Sequence, residues 1–223
     1  MRNVLFIILI VFFSCCSKAV FQPKWTNDKA PENFTARFET SKGVFDIQVN
    51  RTSSPMAVDR FYQFVEHHLY DKVLFYRVVP DFVVQFGNTD TTKTGPWNKF
   101  KISDEVVLKS NIKGALSYAR DGKDSRGNDL FINLKNNSRL DTINYNGVKG
   151  FPSFGTVVKG MEVVESIYSG YGNATMDQYD SLSPNRAKFL ETFPKLDSIK
   201  KVYILKRRLW NFTEFILHIS KPL

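Results

Sequence analysis

Residues 74–88 constrain the chain most: Leu-Phe-Tyr-Arg-Val-Val-Pro-Asp-Phe-Val-Val-Gln-Phe-Gly-Asn. β-Branched and aromatic residues dominate both halves and Pro80-Asp81 interrupts them, so the run reads as strand, turn, strand. Alternation places Phe75, Arg77 and Val79 on one face and Tyr76 and Val78 on the other. After the turn, Val83 and Gln85 oppose Phe82, Val84 and Phe86. An arginine inside such a run is unusual, because burying it unpaired is costly. It is either an edge-strand arginine with its head in water or a cation held over an apolar pocket.

The flanking sequence supplies mostly β material. Residues 35–40 and 44–49 alternate around Ser41-Lys42-Gly43 and read as a hairpin, with Phe38, Phe45, Ile47 and Val49 facing inward. Ser54-Pro55 reads as a cap followed by a first-position proline. Ala57, Val58, Phe61, Phe64 and Val65 then form one apolar helical stripe, ending near His68. Further strands are expected over 114–119, 130–134, 154–158 and 198–205, with helices over 160–168 and from Ser183-Pro184 to Phe193. Residues 89–110, 136–150 and 170–182 read as long loops, and 18–33 as a tether of no fixed structure. About seven short strands without a βαβ rhythm favour an antiparallel sandwich or barrel with helices over its ends.

Composition removes several kinds of chemistry. The 223 residues suffice for one sizeable domain. Both cysteines, Cys15 and Cys16, are N-terminal, so the folded body has no disulfide, thiolate metal site or cysteine nucleophile. His67, His68 and His218 are the only histidines, which leaves little for a Ser-His-Asp triad or a histidine metal site. The net charge of +9 comes with no nucleic-acid-binding motif, so it reads as a solvated basic face, and no nucleic acid is expected as a partner.

The N-terminus reads as an export signal. Arg2 precedes the apolar run from Val4 to Phe13, and Ser14-Cys15-Cys16 follows. A membrane-spanning helix takes about 20 residues, so this run fits the apolar part of a secretory signal instead. Ser14-Cys15 resembles the lipobox of bacterial lipoproteins, with Cys15 as the lipidated residue and Cys16 as the alternative. An ordinary signal peptide cleaved nearby is the other option. The expected division is a signal over 1–14, the tether over 15–33, a domain over 34–206 and an extension of unassigned role over 207–223. The expected location is the bacterial periplasm or cell envelope, with membrane contact through the N-terminal lipid.

Four blocks carry a resemblance to a known family. Residues 75–87 resemble F-H-R-I-I-P-G-F-M-x-Q-G-G, and Gly114-Ala115-Leu116-Ser117-Tyr118-Ala119 resembles G-x-L-S-M-A. Leu130-Phe131-Ile132 resembles F-F-I, and residues 154–164 resemble F-G-x-V-x-x-G-M-x-V-V. In this order they are similar to the cyclophilins, peptidyl-prolyl cis-trans isomerases. The segments 137–141 and 193–197 resemble a bacterial branch. The resemblance implies a mainly β fold, a closed eight-stranded antiparallel cyclophilin-like barrel capped by helices. It implies proline-containing polypeptides as substrates, a monomer, no cofactor and no metal. Carried over, Arg77 is the catalytic residue, while Phe82, Val83, Phe131 and Leu140 line a proline pocket. Gln85 bonds Arg77 or the substrate backbone, Ala119 leaves room for the peptide, and Phe151 stands where the family often has histidine.

The departures are specific. Tyr76 replaces the family's usual histidine, and Asp129 its usual glutamine, so Asp129 is expected to border the site and could pair with Arg77. Arg139 replaces a tryptophan common in eukaryotic members, which implies weak cyclosporin binding. Arg120 and Asp121 replace smaller residues beside the peptide groove, and residues 144–149 look inserted. The alternative to an isomerase is a cyclophilin-fold peptide-binding or chaperone module with little catalysis. For the N-terminus, mass spectrometry of the mature protein is expected to find a lipid on Cys15; an unmodified N-terminus cut elsewhere rejects the anchor.

Overall fold

The computed structural model describes residues 20–182 and 185–205. Cys15, Cys16, Ser183-Pro184 and the C-terminal extension lie outside the described residues. In chain order the elements are β1 (Asn33–Thr40), β2 (Val44–Asn50), α1 (Pro55–Glu66), β3 (Arg77–Val79), β4 (Val83–Phe86) and α2 (Thr91–Asn98). They continue with β5 (Ala115–Tyr118), β6 (Leu130–Asn133), β7 (Asn144–Tyr145), β8 (Val148–Lys149), β9 (Ser153–Lys159) and α3 (Met161–Glu165). The last are α4 (Tyr179–Leu182), α5 (Arg186–Thr192) and β10 (Ile199–Leu205).

Eight strands form one antiparallel sheet in the order β10-β1-β2-β9-β5-β6-β4-β3, and β7 and β8 form a separate hairpin. The sheet curls around the core but is open, not the expected closed barrel. Its edge strands, β10 and β3, share no ladder; the isolated Leu74–Ser198 bridge and its flanking backbone bonds, Phe75 to Asp197 and Ile199 to Val73, join the seam. The reason lies just before β3, where the chain turns at His68 (φ 57°) and Lys72 (φ 62°) and becomes a ladder strand only at Arg77. For the same reason the expected alternation does not run through Tyr76: Phe75 joins the core with Val78, whereas Arg77 faces away from it.

The core is the concave side of the sheet, closed by α1. Phe38 and Phe45 are register partners and stack at 4.7 Å between centroids. The stripe Ala57, Val58, Phe61, Phe64 and Val65 is buried against them. Burial of each valine or phenylalanine side chain contributes about 1.5–3 kcal/mol. Gly155 in β9 leaves the space that Ile47 fills, since a Cβ there would come within 2.8 Å of Ile47 Cγ2.

Three local expectations are corrected. Ser54 does not cap α1; its hydroxyl donates to Glu105, and Glu105 caps the helix by accepting from the Met56 (2.8 Å) and Ala57 (3.2 Å) amides. The segment from Val20 to Glu32 is no free tether, because Gln63 donates to the Thr26 and Asp28 carbonyls, Asp59 accepts from the Ala30 amide, and Trp25 stacks on His67 at 3.7 Å. The stretch 89–110, read as loop, contains α2, whose amide of Thr92 is capped by Asp90 and whose Trp97 is buried. Helix α5 is capped by Asn185, which accepts from the Lys188 amide.

Glu105 also pairs with the buried Arg126 at 3.0 Å. Replacing Glu105 with alanine removes a helix cap and leaves a buried guanidinium short of a partner. A loss of about 2–4 kcal/mol in urea unfolding is expected.

Candidate active site

The sheet places one row of side chains outside the core. Arg77 pairs with Gln85 across β3–β4, Gln85 with Phe131 across β4–β6, and Phe131 with Ser117 across β6–β5. The next row inward, Val78, Val84, Ile132 and Leu116, belongs to the core. Both faces of β4 and β6 are therefore covered, which explains a run so apolar on both parities.

Arg77, Gln85 and Phe131 of this row border a cavity of about 690 Å³. Its floor is a separate apolar cluster of Val83, Phe131 and Leu140, with Phe82, Ala119, Ile143 and Phe151 packed around it. Phe131 and Phe151 meet edge to face at 5.9 Å. Leu140 rides on the 3-10 turn Ser138–Asp141, which a buried amide network fastens to the sheet. Asn137 donates to the Phe82 carbonyl (2.9 Å) and to Asn133 (2.8 Å). Asn111 donates to Asp141 (2.8 Å) and to the Phe151 carbonyl (2.8 Å), and accepts from Ser117 and Asn133. Such satisfied networks rigidify what they join.

Arg77 stands at the rim. Its Nη1 donates to Gln85 Oε1 at 2.9 Å and its Nε to Asn173 Oδ1 at 2.7 Å. Its Nη2 makes no hydrogen bond among the described residues. The guanidinium also lies 5.8 Å from the Phe82 ring centroid. Partial burial pulls its proton affinity below the ordinary arginine value, but arginine stays cationic at any physiological pH. The site thus presents an oriented, charged donor over an apolar floor.

Of the residues singled out in the sequence, Arg77, Phe82, Val83, Gln85, Ala119, Phe131, Leu140 and Phe151 all line this cavity. Tyr76 and Asp129 do not. Tyr76 is buried beside Leu74, Leu182, Phe189 and Phe193, and its hydroxyl donates to Asp129 Oδ1 at 2.8 Å. Tyr179 donates to the same oxygen at 3.0 Å. Asp129 therefore faces two phenols, not Arg77. Its carboxylate occupies space that Gly87 leaves open, since a Cβ on Gly87 would collide with it.

Asn173, Met176, Asp177, Ile143 and Tyr145 line the cavity without having been singled out. The Asn146-Gly147 dipeptide between Tyr145 and Val148 was a usable signal: both residues have positive φ (49° and 82°), as a two-residue hairpin turn demands. Nothing local marks Asn173. It reaches Arg77 because the neighbouring Gly172 bridges to Val78 along the β3 edge.

Residues 35–185 match the family model for the cyclophilin type peptidyl-prolyl cis-trans isomerase/CLD. The chain is a member of the cyclophilin family. It is 29% identical over 137 residues to a peptidyl-prolyl cis-trans isomerase of Acinetobacter baylyi, covering 60% of this chain and 72% of that protein. It is 35% identical over 138 residues to one of Arabidopsis thaliana, covering 59% and 78%. A crystal structure of a Cryptosporidium parvum cyclophilin type peptidyl-prolyl cis-trans isomerase shares the fold, with a TM-score of 0.57 at 20% identity, over 78% of this chain and 99% of that one. A second crystal structure of that protein was obtained in the presence of the dipeptide Ala-Pro. The cyclophilin described here is thus an isomerase of X–Pro peptide bonds by family.

Burial pushes the Asp129 carboxyl above its ordinary 3.8, although the two phenol donors oppose the shift. Burial likewise pushes Tyr76 and Tyr179 upward, with the neighbouring carboxylate adding to it. A raised carboxyl means that the native state holds a proton the unfolded chain has released, so this group's contribution falls as pH rises through that window. Asp129→Asn is therefore expected to compare more favourably with wild type at about pH 7 than at about pH 3. Identical stability differences at the two pH values in urea unfolding would exclude a charged, buried Asp129.

Proposed function

We propose that the Arg77 cavity catalyses X–Pro isomerisation in unfolded or extended polypeptides, and that the protein does so in a bacterial cell envelope, as a monomer held by lipid on Cys15. The observation that carries the catalytic reading is the doubly tethered guanidinium with a remaining donor edge above an apolar floor.

The chemistry follows from the bond itself. Amide resonance sets a rotation barrier of about 18–20 kcal/mol, and no covalent bond has to be made or broken. In the twisted transition state the prolyl nitrogen loses resonance, becomes pyramidal and accepts a hydrogen bond that the planar ground state cannot. A guanidinium aimed there binds the transition state more tightly than the substrate. Val83, Phe131 and Leu140 would hold the pyrrolidine ring while the preceding carbonyl swings. Gln85 and Asn173 restrain the guanidinium, so little reorganisation is needed when the nitrogen turns toward it. Tyr76 and Asp129 contribute structure behind the site.

A binding module with little catalysis would be favoured by a carboxylate withdrawing Arg77 from the substrate. Asp129 was the candidate for that, and its hydrogen bonds go to Tyr76 and Tyr179 instead. The envelope location is supported by the N-terminal sequence pattern and by confinement of both cysteines to it.

Arg77→Ala is expected to lower kcat/KM on a proline peptide by about 10²–10³, the magnitude typical of losing one transition-state donor. Peptide Kd should change far less. Wild-type turnover retained in the variant rejects the role of Arg77, and an inactive wild type that still binds peptide establishes the binding module.

A further inference from the structure

Two more arginines stand at the cavity mouth. Arg139 is exposed on the turn Ser138–Asp141, its guanidinium carbon 5.0 Å from the Phe82 centroid. Its side chain makes no hydrogen bond or ion pair among the described residues. Arg77 shares the Phe82 ring, but Gln85 and Asn173 occupy two of its donor positions. Across the floor, the Arg120 guanidinium carbon lies 4.2 Å from the Phe151 centroid, and this side chain is only 1% exposed. Arg120 donates to the Val148 and Gly150 carbonyls and lies 3.7 Å from Asp104, while its buried Nη1 has no partner among the described residues. Asp177 is the one acidic residue among those lining the cavity.

We propose that this cyclophilin selects X–Pro segments whose flanking side chains carry carboxylates, with Arg139 as the specificity-determining residue. The inference rests on the peptide-binding reading of the cavity. A proline seated on Val83, Phe131 and Leu140 sends its neighbouring residues past Phe82, where Arg139 waits. A guanidinium packed against an aromatic ring keeps its N–H edge free, and that edge matches a carboxylate in a way a lysine ammonium cannot. Arg120 adds fixed positive charge on the opposite wall, too firmly held by carbonyls to swing out. Lysine-flanked segments meet repulsion from both sides. Exposed ion pairs are individually weak, so the effect is a graded preference and not an absolute requirement.

Three peptides that differ only in the residues flanking Ala-Pro, being glutamate, glutamine or lysine, provide the test. Exchange NMR gives kcat/KM, and chemical-shift titration gives Kd. At low salt the glutamate peptide is expected to exceed the lysine peptide about fivefold in kcat/KM, with the same order in affinity. The gap should narrow at about 0.3 M salt, where screening shortens the reach of exposed charges. Arg139→Glu should reverse the order, and Arg139→Lys should keep its direction with a smaller ratio. Equal values for the glutamate and lysine peptides, or an order unchanged in Arg139→Glu, overturn the proposal. If no peptide is turned over, the isomerase reading fails on its own, and the order of Kd values alone decides the specificity.

Discussion

The hydrogen bond between Arg77 and Gln85 ties the electrostatics of the site to the register of the sheet. The two residues are direct partners across β3–β4, and their side chains meet at 2.9 Å on the face away from the core. A slip of one residue would send Gln85 into the Phe86 side of the sheet and leave Arg77 without its tether. The neighbouring β4–β6 ladder places Phe131 beside Gln85, so β4 aligns both the donor and the apolar floor. The cavity is a property of pairing as much as of composition.

The turn and loop that complete that floor are held by polar groups that would be costly if unpaired. Asn111, Asn133 and Asn137 are buried, and they bond mainly to one another and to backbone carbonyls. They fix Leu140 and Phe151 without requiring a strand there. Glu105 plays a similar part at the other end, serving α1, Ser54 and Arg126 at once. Long connections can be rigid in this molecule because side chains supply the bonds that a ladder would otherwise provide.

Period-two alternation made the strands legible, and the spacing of Ala57, Val58, Phe61, Phe64 and Val65 did the same for α1. Arg77, Val83, Gln85 and Phe131 were legible because they sit in strand blocks that resemble those of the cyclophilins, whereas Leu140 and Phe151, on a turn and a loop, rested on the resemblance alone. What was not legible depends on distant partners. Ser54 looks like a cap until a carboxylate from 51 residues away takes its place. Asp129 looks like a neighbour of Arg77 until Tyr179, on a segment read as loop, turns it the other way. Helix α2 carries little apolar periodicity and contains Pro96, so Trp97 alone signals that it is packed. Residues 20–32 are polar enough to pass for a linker, and it takes Gln63 and Asp59 on α1, His67 under Trp25 and Trp97 beside Phe21 to show that they are bound.

The single bridge between the sheet's edges has a dynamic consequence. Apart from Leu74–Ser198 and the flanking bonds from Phe75 to Asp197 (3.0 Å) and from Ile199 to Val73 (2.8 Å), no ladder holds β3 to β10. The Asp71 carboxylate takes up the Val202 amide in place of a strand partner. Local opening follows the line of fewest hydrogen bonds, so amide exchange should enter the sheet along this seam before any other. Arg77 is the first residue of the short strand beside it. The seam therefore runs beside the rim of the cavity, and the bonds from Arg77 to Gln85 and Asn173 hold the guanidinium in place across it.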